Sequence, residues 1–106
     1  MVIGNGCETI ENNAFIGCQS IKQVTIGDGC TTIGSYAFND TNNATVYIGS
    51  GITEIQYNAF GYGCKIYCKA TTPPLLGGNA FATAPNNVII YVPRASVDEY
   101  RAIWSN

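Results

Sequence analysis

Residues 26–38 read IGDGCTTIGSYAF, and a close copy of this stretch lies on each side of it. The earlier copy is IGNGCETIENNAF at residues 3–15, and the later copy is IGSGITEIQYNAF at residues 48–60. Each copy ends in Ala-Phe, and with a fourth pair at residues 80–81 the successive spacings are 23, 22 and 21 residues. A period of roughly 20–29 residues indicates a solenoid, in which every repeat forms one stacked rung.

The aligned positions of the repeat predict its local structure. The turn dipeptides each carry a Gly expected to adopt φ > 0, and they are Asn5-Gly6, Asp28-Gly29 and Ser50-Gly51. Two aligned rows are expected to point inward, and they are Cys7, Cys30 and Ile52, and Ile10, Ile33 and Ile55. The Ala-Phe pair is expected to end a short second strand, with Phe filling the interior.

The repeat is predicted to contain another, longer strand, which is clearest at residues 20–27. SIKQVTIG at residues 20–27 contains an I-x-x-V-x-I unit, in which Val24 and Ile26 point inward. Its relatives ATVYIG, CKIYCK and VIIYVP follow at residues 44–49, 64–69 and 88–93, so a fourth, divergent rung follows three regular ones. One repeat buries too little apolar surface to fold alone, and neighbouring rungs are therefore required.

The pattern changes after Cys68. Pro73-Pro74 and Gly77-Gly78 forbid a continuous strand or helix there. Ser96-Val97-Asp98-Glu99 is a capping box, which makes Ser96 the predicted N-cap of a short helix. Val97, Tyr100 and Trp104 share one face of that helix, which either covers the last rung or binds a partner. We predict one domain over 1–106, with regular repeats at 1–68 and a divergent rung plus helical cap at 69–106.

Composition excludes several function classes. The 106 residues carry a net charge of −2 with five Lys and Arg, too few for a nucleic-acid surface. The sequence contains no run of about 18 apolar residues, and MVIGNG lacks the basic start of a signal peptide. Histidine, the commonest general base, is absent. We therefore predict no membrane span and no catalytic residues.

The five cysteines and the turn carboxylates offer weak alternatives to a structural role. Cys7 and Cys30 share a row with Ile52, and Cys68 shares one with Ile26, so these thiols are expected to behave as small buried hydrophobes. Cys64 and Cys68 lack a second pair or a His for a metal. Asn5, Asp28 and Ser50 supply too few carboxylates for calcium. We predict no metal, no cofactor and no disulfide, with Cys7–Cys30 as the pair to test.

The unit I-x-x-V-x-I-G-x-G-[CI]-x-x-I-x-x-x-A-F resembles the BspA-like leucine-rich repeats, and CKATTPP…IYVP…SVDEYRAIW resembles the C-terminal end of such arrays. The resemblance implies a right-handed leucine-rich-repeat solenoid of about four rungs with a capping helix. It also implies a non-enzymatic protein, secreted or at the cell surface, that takes part in adhesion. The plant-type asparagine ladder is missing. An uncovered N-terminal rung, with Ile3, Ile10 and Phe15 open, predicts end-to-end self-association or upstream repeats.

One outward row is a candidate binding surface. Thr25 lies between two inward residues and therefore points outward, and Tyr47, Tyr67 and Tyr91 align with it. Tyrosine is common at interfaces because it gives flat, amphipathic contact area, although stacked aromatics also stabilise neighbouring strands. The residues favour a binding module that acts through this face, and the family resemblance implies a host or neighbouring-cell protein or glycan as its partner. The alternative is a structural spacer or end-cap of a longer surface protein.

Overall fold

The fold is seen in a computed structural model that describes residues 1–61, 63–78, 80 and 89–104. The elements in chain order are β1 (Val2–Ile3), β2 (Thr9–Ile10), β3 (Gln23–Ile26), β4 (Thr32–Ile33), β5 (Thr45–Ile48), β6 (Glu54–Ile55), β7 (Lys65–Cys68), β8 (Leu75–Leu76), β9 (Ile89–Tyr91), a 3₁₀ turn (Arg94–Ser96) and α1 (Val97–Trp104).

The strands form two parallel sheets, and the chain visits them alternately. One sheet has the order β1-β3-β5-β7-β9 and the other has the order β2-β4-β6-β8. Each strand pairs with its equivalents in the neighbouring repeats. The predicted solenoid of about four turns is confirmed.

The core lies between the sheets, where the repeat alignment placed it. Val24, Val46 and Ile66 are paired across β3, β5 and β7, and all three are fully buried. The two predicted inward rows are also buried, apart from the half-buried Cys7 in the first rung. Ile10 is only 3% exposed, so the expectation that it would lie open was wrong, and Ile3 and Phe15 are partly buried. The exposed apolar residues near this end include Met1 at 41%, Val2 at 79% and Ile16 at 47%.

The Ala-Phe pair does not end the second strand, as the sequence suggested, but lies beyond a further turn. Asn13, Tyr36 and Asn58 occupy equivalent places in this turn, with φ of 62°, 61° and 51°. After the turn, Phe38 forms an isolated parallel bridge with Phe60. Each rung therefore has a third side, and the rings of Phe38 and Phe60 stack there with centroids 5.4 Å apart.

The turn glycines are needed for a reason other than the predicted positive φ. Among the described glycines only Gly17 and Gly63 have φ > 0. A Cβ on Gly29 would collide with the carbonyl oxygen of Asn5 in the rung before it, and a Cβ on Gly51 would collide with that of Asp28. Glycine at these positions lets the backbones of adjacent rungs come into contact.

The rungs are also joined by a ladder of side-chain hydrogen bonds. Asn5 Oδ1 accepts from the Asp28 N–H at 2.9 Å, and Asp28 Oδ1 accepts from the Ser50 N–H at 2.8 Å. At a second turn, Asn12 Oδ1 accepts a hydrogen bond from the Ser35 N–H at 2.8 Å. Although the plant-type asparagine ladder is missing, these turn residues satisfy backbone donors that the short strands leave unpaired.

The C-terminal part differs from the prediction in two details. The Pro- and Gly-rich stretch still contributes β8, which pairs with β6 as a fourth rung. Helical structure begins with the 3₁₀ turn at Arg94, whose N-cap position is Pro93, so Ser96 is the last residue of this turn and not the N-cap that the sequence predicted. The last Phe of the four Ala-Phe pairs, Phe81, lies outside the described residues, whereas Ala80 is buried.

Candidate binding face

The outward row predicted from the alternation is present in the first sheet. Thr25 is in register with Tyr47, Tyr47 with Tyr67, and Tyr67 with Tyr91. Tyr47 and Tyr91 are 41% and 45% exposed. We call the three aromatic residues, Tyr47, Tyr67 and Tyr91, the tyrosine row.

Sequence reasoning missed one member of this line. Val2 pairs with Thr25 and continues the row onto β1. It precedes an Ile-Gly pair, as Thr25 and Tyr47 do, so the repeat alignment contained the signal. The line therefore changes at Thr25 from aromatic residues to smaller ones.

The rings of the tyrosine row stack face to face. The centroids of Tyr47 and Tyr67 are 5.0 Å apart, those of Tyr67 and Tyr91 are 4.4 Å apart, and each pair of planes makes an angle of 10°. Both faces of Tyr67 are consequently covered by its neighbours. The row presents its ring edges and hydroxyls outward, and Tyr47 has no aromatic neighbour in the row on its Thr25 side.

Stacking favours the neutral form of the central hydroxyl of the row, that of Tyr67. The pKa of Tyr67 is raised, first because its neighbours exclude water and then because a phenolate would be repelled by Tyr91 and Tyr47. Neutral phenols both donate and accept hydrogen bonds. The face is therefore amphipathic without carrying net charge of its own.

A groove of about 410 Å³ lies beside Tyr47 at the ends of the strands. Among the residues that line it are Thr25, Tyr47, Asn5, Asp28 and Lys69, and we call it the Thr25 notch. Lys69 Nζ lies 3.4 Å from Asp28 Oδ1, and the side chains are 67% and 52% exposed. The Ser50 N–H and then Lys69 lower the pKa of Asp28, so the carboxylate is charged near neutral pH.

The inner face of α1 makes its contacts within the chain. Tyr100 is 4% exposed, and its hydroxyl donates to the Ala70 carbonyl at 2.7 Å. Trp104 Nε1 donates to the Pro74 carbonyl at 3.0 Å, and its ring packs edge-on against Tyr100 with centroids 4.8 Å apart. These contacts support the capping interpretation of the helix.

The cysteines show no arrangement suited to chemistry. All five thiols are free, and burial raises the pKa of Cys30 and of Cys64, which disfavours the nucleophilic thiolate. Among the described residues, no three His, Cys, Asp or Glu side chains are grouped so that they could hold a metal ion. None of the helices in that part of the chain has the length and apolarity to cross a bilayer.

Comparisons with known proteins agree with this architecture. The family model of the BspA type leucine rich repeat region matches residues 1–97, in six copies. No match was found among curated proteins or among solved structures. Leucine-rich repeats of this type are generally non-enzymatic and are associated with protein interaction or adhesion. Because the match covers nearly the whole chain, the protein belongs to the BspA type leucine-rich repeat family.

Proposed function

We propose that this chain is a non-enzymatic binding module that attaches to a protein or glycan of a host or neighbouring cell through the outer face of its first sheet. The observation that carries the proposal is the tyrosine row, whose end members, Tyr47 and Tyr91, are 41% and 45% exposed, whereas the residues beside them in the strands are buried at Tyr47 and partly buried at Tyr91. Large aromatic side chains held at a surface are typical of interaction sites.

The stacked geometry supports binding because the row is already ordered before a partner arrives. Immobilising a flexible side chain on association costs about 0.5–1.5 kcal/mol. Tyrosine has two side-chain torsions, and here the neighbouring rings restrict them by stacking at 4.4 and 5.0 Å. The partner therefore meets a preorganised surface of ring edges and hydroxyls.

The family supports a location at the cell surface or in secreted form. BspA type repeats are typically found in surface proteins, and an adhesive role requires an outward-facing, accessible site. An alternative role, a spacer or end-cap of a longer surface protein, is favoured by the same stacking, because aromatic ladders stabilise successive strands without any ligand.

Binding of the purified domain to intact cells distinguishes the two roles. The test variant replaces Tyr47, Tyr67 and Tyr91 with Thr, the residue that the protein itself uses at position 25 and one that favours strands. The control is Tyr57→Thr, since Tyr57 is 44% exposed but lies outside the row.

We expect the triple variant to lose cell binding at a temperature where circular dichroism shows it folded, while Tyr57→Thr binds like the wild type. Equal binding by the triple variant and the wild type would refute a role for this face. A lower melting temperature with unchanged binding would identify the row as structural and favour the spacer.

A further inference from the structure

We propose that the Thr25 notch binds a neutral pyranose ring that stacks on the open face of Tyr47. The inference rests on the proposed function, because it names the ligand class for one end of the same face. Its support comes from the break in the tyrosine row, the volume of the notch and the polar groups around it.

The break leaves one ring face of the row without an aromatic neighbour. Tyr47 is stacked on Tyr67 on one side, and on its other side the register position belongs to Thr25, which has no ring. Adjacent strands of a sheet lie about 4.8 Å apart, close to the 5.0 Å that separates the centroids of Tyr47 and Tyr67. A ring placed above Thr25 would therefore lie at stacking distance from Tyr47.

The notch has the size of a small-ligand site. Its volume of about 410 Å³ falls within the roughly 300–1,000 Å³ of known small-molecule sites. Such sites combine an apolar wall with a few polar groups that fix orientation. Here Tyr47 and Tyr67 contribute the wall, with Tyr47 offering its open ring face, and Asn5, Asp28 and Lys69 supply the polar groups.

The charges of the notch favour a neutral, hydroxyl-rich ligand. Asp28 and Lys69 neutralise each other in an ion pair of 3.4 Å, so an ionic ligand would have to displace one of them. A pyranose has an apolar C–H face for Tyr47 and hydroxyls on its rim. Those hydroxyls can accept from Lys69 and donate to Asp28, replacing the water that these exposed groups hold.

An aromatic side chain of a protein partner fits the same space less well. It would stack on Tyr47, but it would remove water from the Asp28–Lys69 pair without offering hydrogen bonds in return. Desolvating polar groups without compensation is unfavourable. We therefore commit to the sugar, and an aromatic amino acid serves as the competing probe.

Saturation-transfer difference NMR tests the inference with four probes at millimolar concentration. They are methyl β-D-glucopyranoside, methyl β-D-galactopyranoside, methyl α-D-mannopyranoside and N-acetyl-L-tyrosinamide. We expect at least one glycoside to receive saturation at its ring C–H protons. The decisive variant is Thr25→Tyr, which fills the notch with the protein's own ring and extends the row.

Thr25→Tyr should remain folded and weaken glycoside binding at least tenfold, and Tyr47→Thr should weaken it similarly by removing the stacking wall. Tyr57→Thr, at a residue that is 44% exposed but lies outside both the row and the notch, should bind like the wild type. Two results would overturn the inference: no glycoside signal with the wild type, or a signal unchanged by both Thr25→Tyr and Tyr47→Thr. Binding of N-acetyl-L-tyrosinamide alone would overturn it in favour of a protein ligand.

These outcomes are separable from the test of the proposed function. If no glycoside binds while cell binding still depends on the tyrosine row, the sugar inference fails and the binding face stands. If the variant with Thr at positions 47, 67 and 91 binds cells like the wild type, the proposed function fails whatever the glycosides do.

Discussion

Tyr100→Phe tests how much the buried Tyr100 hydroxyl contributes to holding α1 on the solenoid. In the structure this hydroxyl donates to the Ala70 carbonyl at 2.7 Å and lies 3.3 Å from the sulfur of Cys68. Ala70 is 3% exposed, so water cannot easily replace the lost donor. The ring remains in Phe and its apolar packing is retained. Leaving a buried carbonyl unsatisfied costs about 1–3 kcal/mol, which corresponds to a fall of roughly 4–20 °C in Tm for a domain of this size.

Urea unfolding followed by circular dichroism measures this cost. We expect a lower midpoint with an unchanged m-value, because the surface exposed on unfolding is the same. Tyr57→Phe is the matched control, since Tyr57 is 44% exposed, and a surface change of this kind should stay within about 0.5 kcal/mol. If the two variants unfold at the same midpoint, the Tyr100 hydroxyl contributes nothing and the argument that it fixes the helix is wrong.

Four further outcomes are expected. Replacing a fully buried Trp with Ala costs about 3–5 kcal/mol, and Trp104→Ala should lower the free energy of unfolding by less than that, because Trp104 is only partly buried. An unchanged melting temperature would mean that the helix does not seal the last rung. Cys30 and Cys64, buried with raised pKa values, should resist iodoacetamide until the protein unfolds, as followed by mass spectrometry, and rapid native labelling would contradict their placement. β1 is an outer strand of the described sheet, so two copies of the protein could associate end to end through it. In that case sedimentation of the wild type should depend on concentration, and Ile3→Lys should abolish this dependence. A wild type that is monomeric at every concentration would refute such association. Because the pKa of Tyr67 is raised in the folded state, its contribution to stability is complete below the usual tyrosine pKa of about 10 and is lost as the pH rises through the folded value. The Tm of the wild type should therefore fall above about pH 10, and the Tm of Tyr67→Thr should fall less. Phenolate absorbance follows the ionisation, and an identical alkaline fall in Tm of both proteins would contradict this cause.

Those features of the fold that depend on periodicity could be predicted from the sequence. A 22- or 23-residue spacing between equivalent pairs fixes which strands are neighbours, and alternation within QVTI and TVYI fixes which side chains face inward. That is why the register of Val24 with Val46 and of Thr25 with Tyr47 agrees with the alignment. Because the rungs stack in parallel, residues at equivalent positions of successive repeats lie next to each other, and the sequence spacing therefore predicts which residues are in contact.

Features that depend on distances between backbones were not accessible in the same way. Gly29 is read from sequence as a flexible turn residue, but its role is to admit the carbonyl of Asn5 from the rung before it. The third side of each rung was missed because it depends on a left-handed residue such as Tyr36, with φ of 61°, which bulky side chains rarely adopt. The Asn residues at the equivalent positions, Asn13 and Asn58, adopt this conformation more readily, and they were the local signal that the repeat offered.

At the candidate site, the position of the tyrosine row could be predicted from the sequence, but the orientation of its rings could not. Alternation placed Tyr47, Tyr67 and Tyr91 on one face, but side-chain torsions decide whether the rings lie flat as a platform or stand on edge. In the structure they stand on edge with planes 10° apart, so a ligand can stack only on the two end members of the row and not on Tyr67. The notch additionally requires Lys69 to reach Asp28 across two rungs, a contact that the repeat pattern does not contain.

The position of Asp28 determines which variants can report on binding. Its carboxylate lines the Thr25 notch, but the oxygen that contacts Lys69 also accepts the Ser50 N–H at 2.8 Å and so helps to hold the next rung. Asp28→Ala would therefore change the ligand site and the solenoid together, and a loss of binding would have two explanations. Thr25 differs because no side-chain hydrogen bond joins it to another described residue, and only its backbone N–H donates, to the Met1 carbonyl at 2.9 Å. A ring introduced at position 25 blocks the notch and leaves the turn ladder intact, so binding that survives it would have to occur elsewhere on the protein.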